Sequence, residues 1–464
     1  MLRTFHHPTQ AARPRASRGR LAACLLAATI SGGILAASPQ QAHAAAAPAN
    51  AATASTVTAS TVTASTGAAS TGAASTVTAS TVTASTGAGA PVVGVQDGWI
   101  NSCDAGSAPS LPHPGSAVPA DQSPYWSRLG VTTVRFSPPW DIADHSTTSP
   151  AGKVLTVEQA CFDYWLRDLA AHGVTPEIAF KPDYNYQSGN RIMIPDLSTY
   201  QAAMTAFTAQ YSNCPGTPAT CADGLARVSI IAPWGEPEFR GTAKAGTFHK
   251  LPQILYMRSG REFDATDCPA HATDANCGPA LAAQMWVTVQ HRCPSCTVIA
   301  GDFGSNQGKD LAYLDIYHKF LRDLHGGHTV YRPAVWAIHP YTDVIAFERS
   351  VQQHRPLPAL GGTLVGKFAR QLRRVGFGSH TSIWLDEVSS FTVDFGGRHY
   401  SRAIQAAGAH DLLTYLPRAG GASVAGEPVV ARIYYMRYAG APHDALIVGG
   451  TREPVYWTFA NRRK

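Results

Sequence analysis

The chain has 464 residues, enough for one large domain or two ordinary ones, and 45% of them are hydrophobic, so a sizeable core can form. Arg3, Arg13, Arg15, Arg18 and Arg20 crowd the N-terminus; without these five, the 37 basic residues fall to 32 against 31 acidic ones. That near-neutral balance gives no support for a nucleic-acid partner or an anionic membrane surface.

The five arginines precede an apolar run, Leu21–Ala37, and then small residues ending in Ala42-His43-Ala44. This is the layout of a secretory signal peptide with an A-x-A cleavage site. Ser31, Gly32 and Gly33 interrupt the run, which is poor for a spanning helix of about 20 apolar residues. Residues 1–44 are therefore expected to leave on export, and the mature protein to be extracellular and off the membrane. Residues 45–90 are rich in Ala, Ser and Thr and repeat Ala-Ser-Thr-Val-Thr and Ala-Ser-Thr-Gly-Ala units without charge or aromatic residues. Such a segment cannot bury enough surface to offset its ordering entropy, so it reads as a disordered linker.

From Pro91 onward, short apolar runs alternate with helical patterns, and 91–464 is expected to be a single domain. The runs are Val92–Gln96, Thr132–Ser137, Thr175–Lys181, Arg227–Ala232, Thr297–Asp302, Val335–His339, Ser382–Asp386 and Val429–Tyr435. They are rich in Val and Ile and read as eight strands. Between them the period changes. Cys161, Trp165 and Leu169 mark one helix; Tyr200, Met204, Phe207 and Tyr211 a second; Leu281, Met285, Trp286 and Val289 a third. Leu314, Tyr317, Phe320, Leu321 and Leu324 mark a fourth, Leu364, Phe368 and Leu372 a fifth, and Tyr400, Ile404 and Leu412 a sixth. The first crossover is short and irregular, near Tyr125–Leu129. Strand–helix alternation implies parallel strands with right-handed crossovers, and eight such units fit an α/β fold, a single (β/α)8 TIM barrel with long loops. An open doubly wound sheet would carry a glycine-rich phosphate turn after its first strand, and Gln96-Asp97-Gly98-Trp99 is not one.

Removing Cys24 with the signal leaves eight cysteines, an even number that suggests disulfides in an exported chain. Cys214/Cys221, Cys268/Cys277 and Cys293/Cys296 are close in sequence, which would leave Cys103 with Cys161; other connectivities stay open.

In a barrel of this type the active site lies at the C-terminal ends of the strands. The second run ends in Arg135-Phe136-Ser137-Pro138-Pro139-Trp140, and the fourth in Pro233-Trp234-Gly235-Glu236-Pro237-Glu238. The sixth ends in His339-Pro340-Tyr341, and the seventh in Trp384-Leu385-Asp386-Glu387. Polar residues thus collect at one end of otherwise apolar strands. Two carboxylates are what glycosidic cleavage needs: one protonated to assist the leaving oxygen, one ionised to attack or to activate water. A charged nucleophile raises its neighbour's pKa, and an arginine beside the nucleophile keeps the latter ionised.

At these strand ends the chain resembles the retaining (β/α)8 families of glycoside hydrolase clan A, such as families 5 and 39. The resemblance covers about residues 92–440. It implies Glu236, within Gly235-Glu236-Pro237, as the acid/base, and Glu387, closing Trp384-Leu385-Asp386-Glu387, as the nucleophile, 151 residues further on. It implies that Arg135 stands for the strand-two Arg of family 5, and His339 and Tyr341 for its strand-six His-x-Tyr pair. Arg135, Trp140, Trp234, His339, Tyr341 and Tyr434 are expected to bind substrate. No cofactor and no metal is expected, and the chain is expected to act as a monomer on a poly- or oligosaccharide. Two positions depart from the pattern. Gly235 replaces the clan's Asn, which commonly binds the sugar's 2-hydroxyl. The usual strand-eight Trp is not evident, and Tyr434 or Tyr435 would replace it as a sugar platform. Glu238 and Asp386 are rival carboxylates, with strand alternation expected to point Asp386 away from Glu387. Tyr184, Tyr186 and Phe391 could add to a cleft that the long stretch from Phe239 to Cys277 would wall. The competing reading is a secreted carbohydrate-binding barrel without catalysis.

Deleting residues 51–90 is expected to leave the melting temperature and any turnover nearly unchanged, because the segment contributes no core. A large loss of stability by calorimetry would show that it packs on the barrel.

Overall fold

The computed structural model describes residues 90–96, 129–143, 152–181, 195, 197–237, 277–304, 309–324, 331–378, 380–394, 396–420, 428–436, 446–448 and 451–462. The expected signal peptide, nearly all of the expected linker, Tyr184, Tyr186, Glu238, Cys103, Cys268 and the stretch from Phe239 to Asn276 lie outside the described residues, as does the expected first crossover apart from Leu129.

Eight parallel strands close into a barrel in sequence order: β1 (Val92–Gln96), β2 (Thr133–Phe136), β3 (Thr175–Ala179), β4 (Ile230–Ala232), β5 (Thr297–Phe303), β6 (Val335–Ile338), β7 (Ser382–Val388) and β8 (Val429–Tyr435). Each overlaps one predicted apolar run. β8 returns to β1 with Val93 opposite Ile433 and Val95 opposite Tyr435, which closes the ring. The helices among the described residues are α1 (Gly152–Ala171), α2 (Leu197–Phe207), α3 (Cys277–Arg292), α4 (Lys309–Asp323), α5 (Tyr341–Gln352), α6 (Leu364–Arg374), α7 (Arg402–Thr414) and α8 (Pro454–Asn461). Two of these, α5 and α8, go beyond the expected set. α5 follows β6 directly and buries Val344, Ile345 and Phe347, so two helices instead of one separate β6 from β7. Its Asp343 accepts from the backbone N–H groups of Leu364 (2.7 Å) and Val365 (3.0 Å), which ties α5 to the first turn of α6. None of the described helices is long and apolar enough to cross a membrane.

Alternation along the strands sorts two cores. Outward-facing Phe136, Ile178, Ile231, Trp336, Ile383 and Ile433 join the helices in one large cluster. Inward-facing Ala179, Ile230, Ala232, Ile299, Val335, Ala337, Trp384 and Tyr434 fill the barrel. Trp165 of α1 is fully buried in the outer layer, its ring centroid 4.8 Å from Phe136 and 6.0 Å from Phe162. Two disulfides match the expected pairs, Cys214–Cys221 and Cys293–Cys296. Cys161 and Cys277 are also disulfide-bonded, to partners outside the described residues.

Trp165→Ala is expected to destabilise the fold by about 3–5 kcal/mol, the usual cost of emptying a buried aromatic site. Denaturant unfolding monitored by far-UV circular dichroism would measure it.

Candidate active site

Side chains from β1, β2 and the start of α5 converge on one carboxylate of β7. Glu387 Oε2 accepts from Arg135 Nη1 of β2 (2.8 Å) and from Gln96 Nε2 of β1 (2.8 Å), while Oε1 accepts from the Tyr341 hydroxyl in a very short contact. Arg135 Nη1 also donates to Gln96 Oε1 (2.9 Å), so the amide is oriented with its NH2 toward Glu387. Burial alone would raise the pKa of Glu387. His339, Arg135 and the hydrogen bonds from Tyr341 and Gln96 outweigh it and hold the group below the ordinary carboxylate range.

Glu236 sits just beyond β4 with φ +50°, a left-handed backbone that a side chain of its size rarely adopts. Its amide donates to the Asp302 carbonyl (2.8 Å), and Asp302 itself has φ +55°. Strained residues of this kind tend to gather at functional sites. Gly304 makes room for the carboxylate: a Cβ there would meet Glu236 Oε1 at 2.4 Å, so no side chain is tolerated at that position without moving Glu236. His339 Nδ1 lies 3.1 Å from Glu236 Oε1, and its Nε2 lies 2.6 Å from Asp302 Oδ1. One carboxylate oxygen of Glu236, one of Glu387 and one ring nitrogen of His339 lie within 4.8 Å of one another, so the two carboxylates share one site. The side chains of Glu236 and Glu387 stay 31% and 19% exposed, which leaves both reachable from the barrel mouth. These three donors could also hold a cation. The Arg135 guanidinium already supplies positive charge against Glu387, which lowers the site's appetite for a metal.

Beneath the pair lies a buried charged layer. Arg135 Nη2 bonds Asp302 Oδ2 (2.8 Å) and its Nε lies 3.5 Å from Glu177 Oε1 of β3. Burial pushes the Glu177 carboxyl up to about 7 against the pull of Arg135 and Arg432. Asp386 is fully buried, and its two oxygens have no hydrogen-bond partner among the described residues. Burial, with Glu177 and Asp302 nearby, pushes its pKa well above the usual range. Asp386 does not point away from the site as expected from alternation. A bulge between Leu385 and Val388 places two residues, Asp386 and Glu387, where one would pair with β8, and both turn toward the barrel.

The expected substrate contacts divide. Tyr341 touches Glu387. Arg135 and His339, expected to bind substrate, are 1% and 0% exposed and turn toward Gln96, Asp302, Glu236 and Glu387, so they support the pair from within the barrel. Tyr434 is 0% exposed inside the barrel, its hydroxyl 2.6 Å from Thr133 Oγ1 and 2.9 Å from Arg432 Nη1, and Tyr435 is 0% exposed against Phe459. Neither is a sugar platform; a ring with no exposed face has none to stack. Met436 occupies the end of β8, its Sδ 3.2 Å from the Tyr341 hydroxyl. Trp140, Trp234 and Phe391 are buried at 2%, 6% and 3% exposure, with Trp140 packed on Tyr200 and Phe391 on Tyr341. Gln96, Glu177 and Asp302 were missed, although Gln96 and Asp302 each close a predicted strand run.

No protein-family model and no curated protein sequence matches the chain. Solved structures similar to it are glycoside hydrolases of families 39 and 5. A family 39 glycoside hydrolase from the gut symbiont Bacteroides cellulosilyticus WH2 is 15% identical with a TM-score of 0.45, over 80% of this chain and 63% of that one. GH5_18 from Streptomyces cattleya, solved with GlcNAc, is 10% identical with a TM-score of 0.47, over 80% of this chain and 79% of that one. An endocellulase from Pyrococcus horikoshii, solved with cellotetraose, is 10% identical with a TM-score of 0.49, over 81% of this chain and 93% of that one. The chain thus spans less than two thirds of the first of these. Likeness at this level carries nothing about substrate or activity.

Arg135→Ala should raise the pKa of Glu387, since a charge and a hydrogen bond that favour its anion are lost. A depressed folded-state pKa contributes stability that is present above the unfolded value and lost as pH falls through the folded one. The variant should therefore lose stability at neutral pH and show a flatter decline toward acid. Melting temperatures from pH 3 to 8 would test this, and parallel curves for variant and wild type would contradict it.

Proposed function

We propose that this protein is a secreted retaining glycoside hydrolase that cleaves O-glycosidic bonds of a poly- or oligosaccharide, with Glu236 as acid/base and Glu387 as nucleophile. The observation that carries the reading is the pair itself: two partly exposed carboxylates within 4.8 Å at a barrel mouth, one of them held ionised by Arg135, Gln96 and Tyr341. In the first step a Glu387 oxygen attacks the anomeric carbon, the glycosidic C–O bond breaks, and the Glu236 proton passes to the leaving oxygen. In the second, water attacks the same carbon, Glu236 takes its proton, and the ester to Glu387 breaks. The configuration is inverted twice and so retained. Tyr341 is a hydrogen-bond donor to Glu387 before attack, and it weakens its hold on that oxygen as the ester forms. The chain is proposed to work as a monomer without a cofactor, outside the cell after loss of residues 1–44.

Gly235 favours a second reading, a carbohydrate-binding barrel without turnover, because the Asn that commonly engages the 2-hydroxyl in the resembling families is missing. Assay of the purified protein against plant, fungal and bacterial polysaccharides separates the two.

On any substrate that is cleaved, Glu387→Gln should reduce turnover at least about 10⁴-fold, because an amide cannot form the glycosyl ester. Glu236→Ala should spare nitrophenyl glycosides in the first step and stall in the second, with azide restoring the rate and giving a glycosyl azide of retained configuration. EDTA should leave the wild-type rate unchanged. Wild-type turnover in both variants, or loss of activity on chelation, would sink the assignment.

A further inference from the structure

Asp302, the penultimate residue of β5, lies inside the barrel and has no role in the chemistry described so far. Three observations single it out. Its two oxygens are divided between the two halves of the site: Oδ1 lies 2.6 Å from His339 Nε2, next to Glu236, and Oδ2 accepts from Arg135 Nη2 at 2.8 Å, next to Glu387. Its backbone is held at φ +55° at a bulge between Gly301 and Phe303, and its carbonyl accepts the Glu236 N–H. Finally, Gly235 leaves the space it fills. A Cβ at position 235 would stand 3.2 Å from Asp302 Oδ2 and 3.9 Å from Arg135 Nη2, so a larger side chain there would press on the Asp302–Arg135 contact.

We propose that Asp302 is a positioning residue for the proton cycle of Glu236: it holds His339 with its Nε2 proton turned away from Glu236, so that the Glu236–His339 hydrogen bond must contain a second, transferable proton. The inference rests on Glu236 being the acid/base. Neutral imidazole has one N–H, and a carboxylate at Nε2 fixes it there. Nδ1 then presents a lone pair to Glu236 Oε1. A hydrogen bond at 3.1 Å between those atoms requires one more proton, carried by the Glu236 carboxyl or by Nδ1 of an imidazolium. Either way, a single proton is stored between them. It goes to the leaving oxygen when the glycosidic bond breaks, and the proton of the attacking water replaces it. Asp302 stays ionised throughout. Without it, His339 could place its only proton on Nδ1, satisfy an ionised Glu236, and leave the pair with nothing to donate.

The electrostatics agree with this geometry. Burial opposes charge on His339, but Asp302, then Glu236 and Glu387, raise its proton affinity well above the ordinary value. Burial likewise opposes charge on Asp302, and Arg135 and His339 overcome it and keep the carboxylate below its usual range. The other charged or titratable groups facing His339 are Tyr341 on α5 and Asp386 on β7, with Arg135 on β2 reaching it through Asp302.

The test begins on the full chain in the absence of substrate, so it does not depend on turnover. Two-bond 1H–15N correlation of labelled histidine, with His339 assigned by its loss in His339→Gln, reports which nitrogens carry protons. His339 should keep Nε2–H at every pH, lose only the Nδ1 proton, and do so above the ordinary histidine value of about 6.5. In Asp302→Asn that loss should move down by at least one pH unit, a tenfold fall in proton affinity. On a cleaved substrate, Asp302→Asn should lower kcat/KM at least tenfold more for a poor leaving group than for a dinitrophenolate. A neutral wild-type His339 protonated on Nδ1 would overturn the proposal, and that reading needs no variant to fold. Equal losses on the two leaving groups would also overturn it, since they would mean that Asp302 acts only through Arg135 and the fold. The expected histidine behaviour in a protein that cleaves no glycoside would refute the hydrolase reading and leave the proton arrangement standing.

Discussion

A guanidinium cannot be taken into a barrel interior alone. Arg135 is 1% exposed, and its five N–H groups must find acceptors that replace water. Its Nη groups find them on three other strands, Gln96 on β1, Asp302 on β5 and Glu387 on β7, while its Nε faces Glu177 on β3 at 3.5 Å as an ion pair without a hydrogen bond. The barrel mouth is organised around that requirement. Removing one partner of such a buried pair typically costs about 3–5 kcal/mol, because the other charge is left without compensation. The same cation therefore registers alternate strands and decides which carboxylate is ionised.

It does not have enough charge for every acid near it. Glu177, Asp302, Asp386 and Glu387 share Arg135, with Arg432 and His339 adding what they can. The acids that hydrogen-bond to a cation, Asp302 and Glu387, are held low. Those without a hydrogen bond to a cation, Glu177, which meets Arg135 only at 3.5 Å, and Asp386, are pushed up by burial. Neighbouring residues Asp386 and Glu387 thus have opposite protonation tendencies, and the difference comes from geometry: the bulge in β7 turns Glu387 toward three donors and leaves Asp386 with none. Division of acids into proton holders and anions is the condition that two-carboxylate chemistry sets.

Much of this could be read from the amino acids. The eight apolar runs overlap the eight strands because strands buried on both faces need unbroken Val and Ile. Glu236, Glu387, Arg135, His339 and Tyr341 do meet at one end because each closes or follows such a run. What escaped is what alternation alone cannot express. Period two places Asp386 and Glu387 on opposite faces, and only a bulge brings them to one. Tyr434 looked like a platform because strand eight is aromatic, but its period points it inward onto Thr133 and Arg432. Helix α5 carries its helical spacing in Val344, Phe347 and Val351, but it begins at Tyr341, within the strand-end motif His339-Pro340-Tyr341, with only His339 and Pro340 to separate helix from strand. Gln96 and Asp302 carry a usable signal, a polar residue ending an apolar run, but no motif beyond it.

The position of Glu236 shows how strain and support are coupled here. Its left-handed backbone, of order 1–3 kcal/mol above an ordinary one, persists only if its surroundings hold it. They do so at both ends of the residue. The N–H is bound by the carbonyl of Asp302, itself in the same uncommon conformation, and the carboxylate lies over Gly304 where any Cβ would displace it. Asp302 can adopt its conformation because β5 is bulged and because Gly235 presents no side chain to its carboxylate. A glycine on each side, two acids in left-handed backbone between them and one arginine below form a single packed unit. The departure at Gly235 is in these terms a structural exchange: the side chain missing from β4 leaves the room in which a carboxylate from β5 meets both His339 and Arg135.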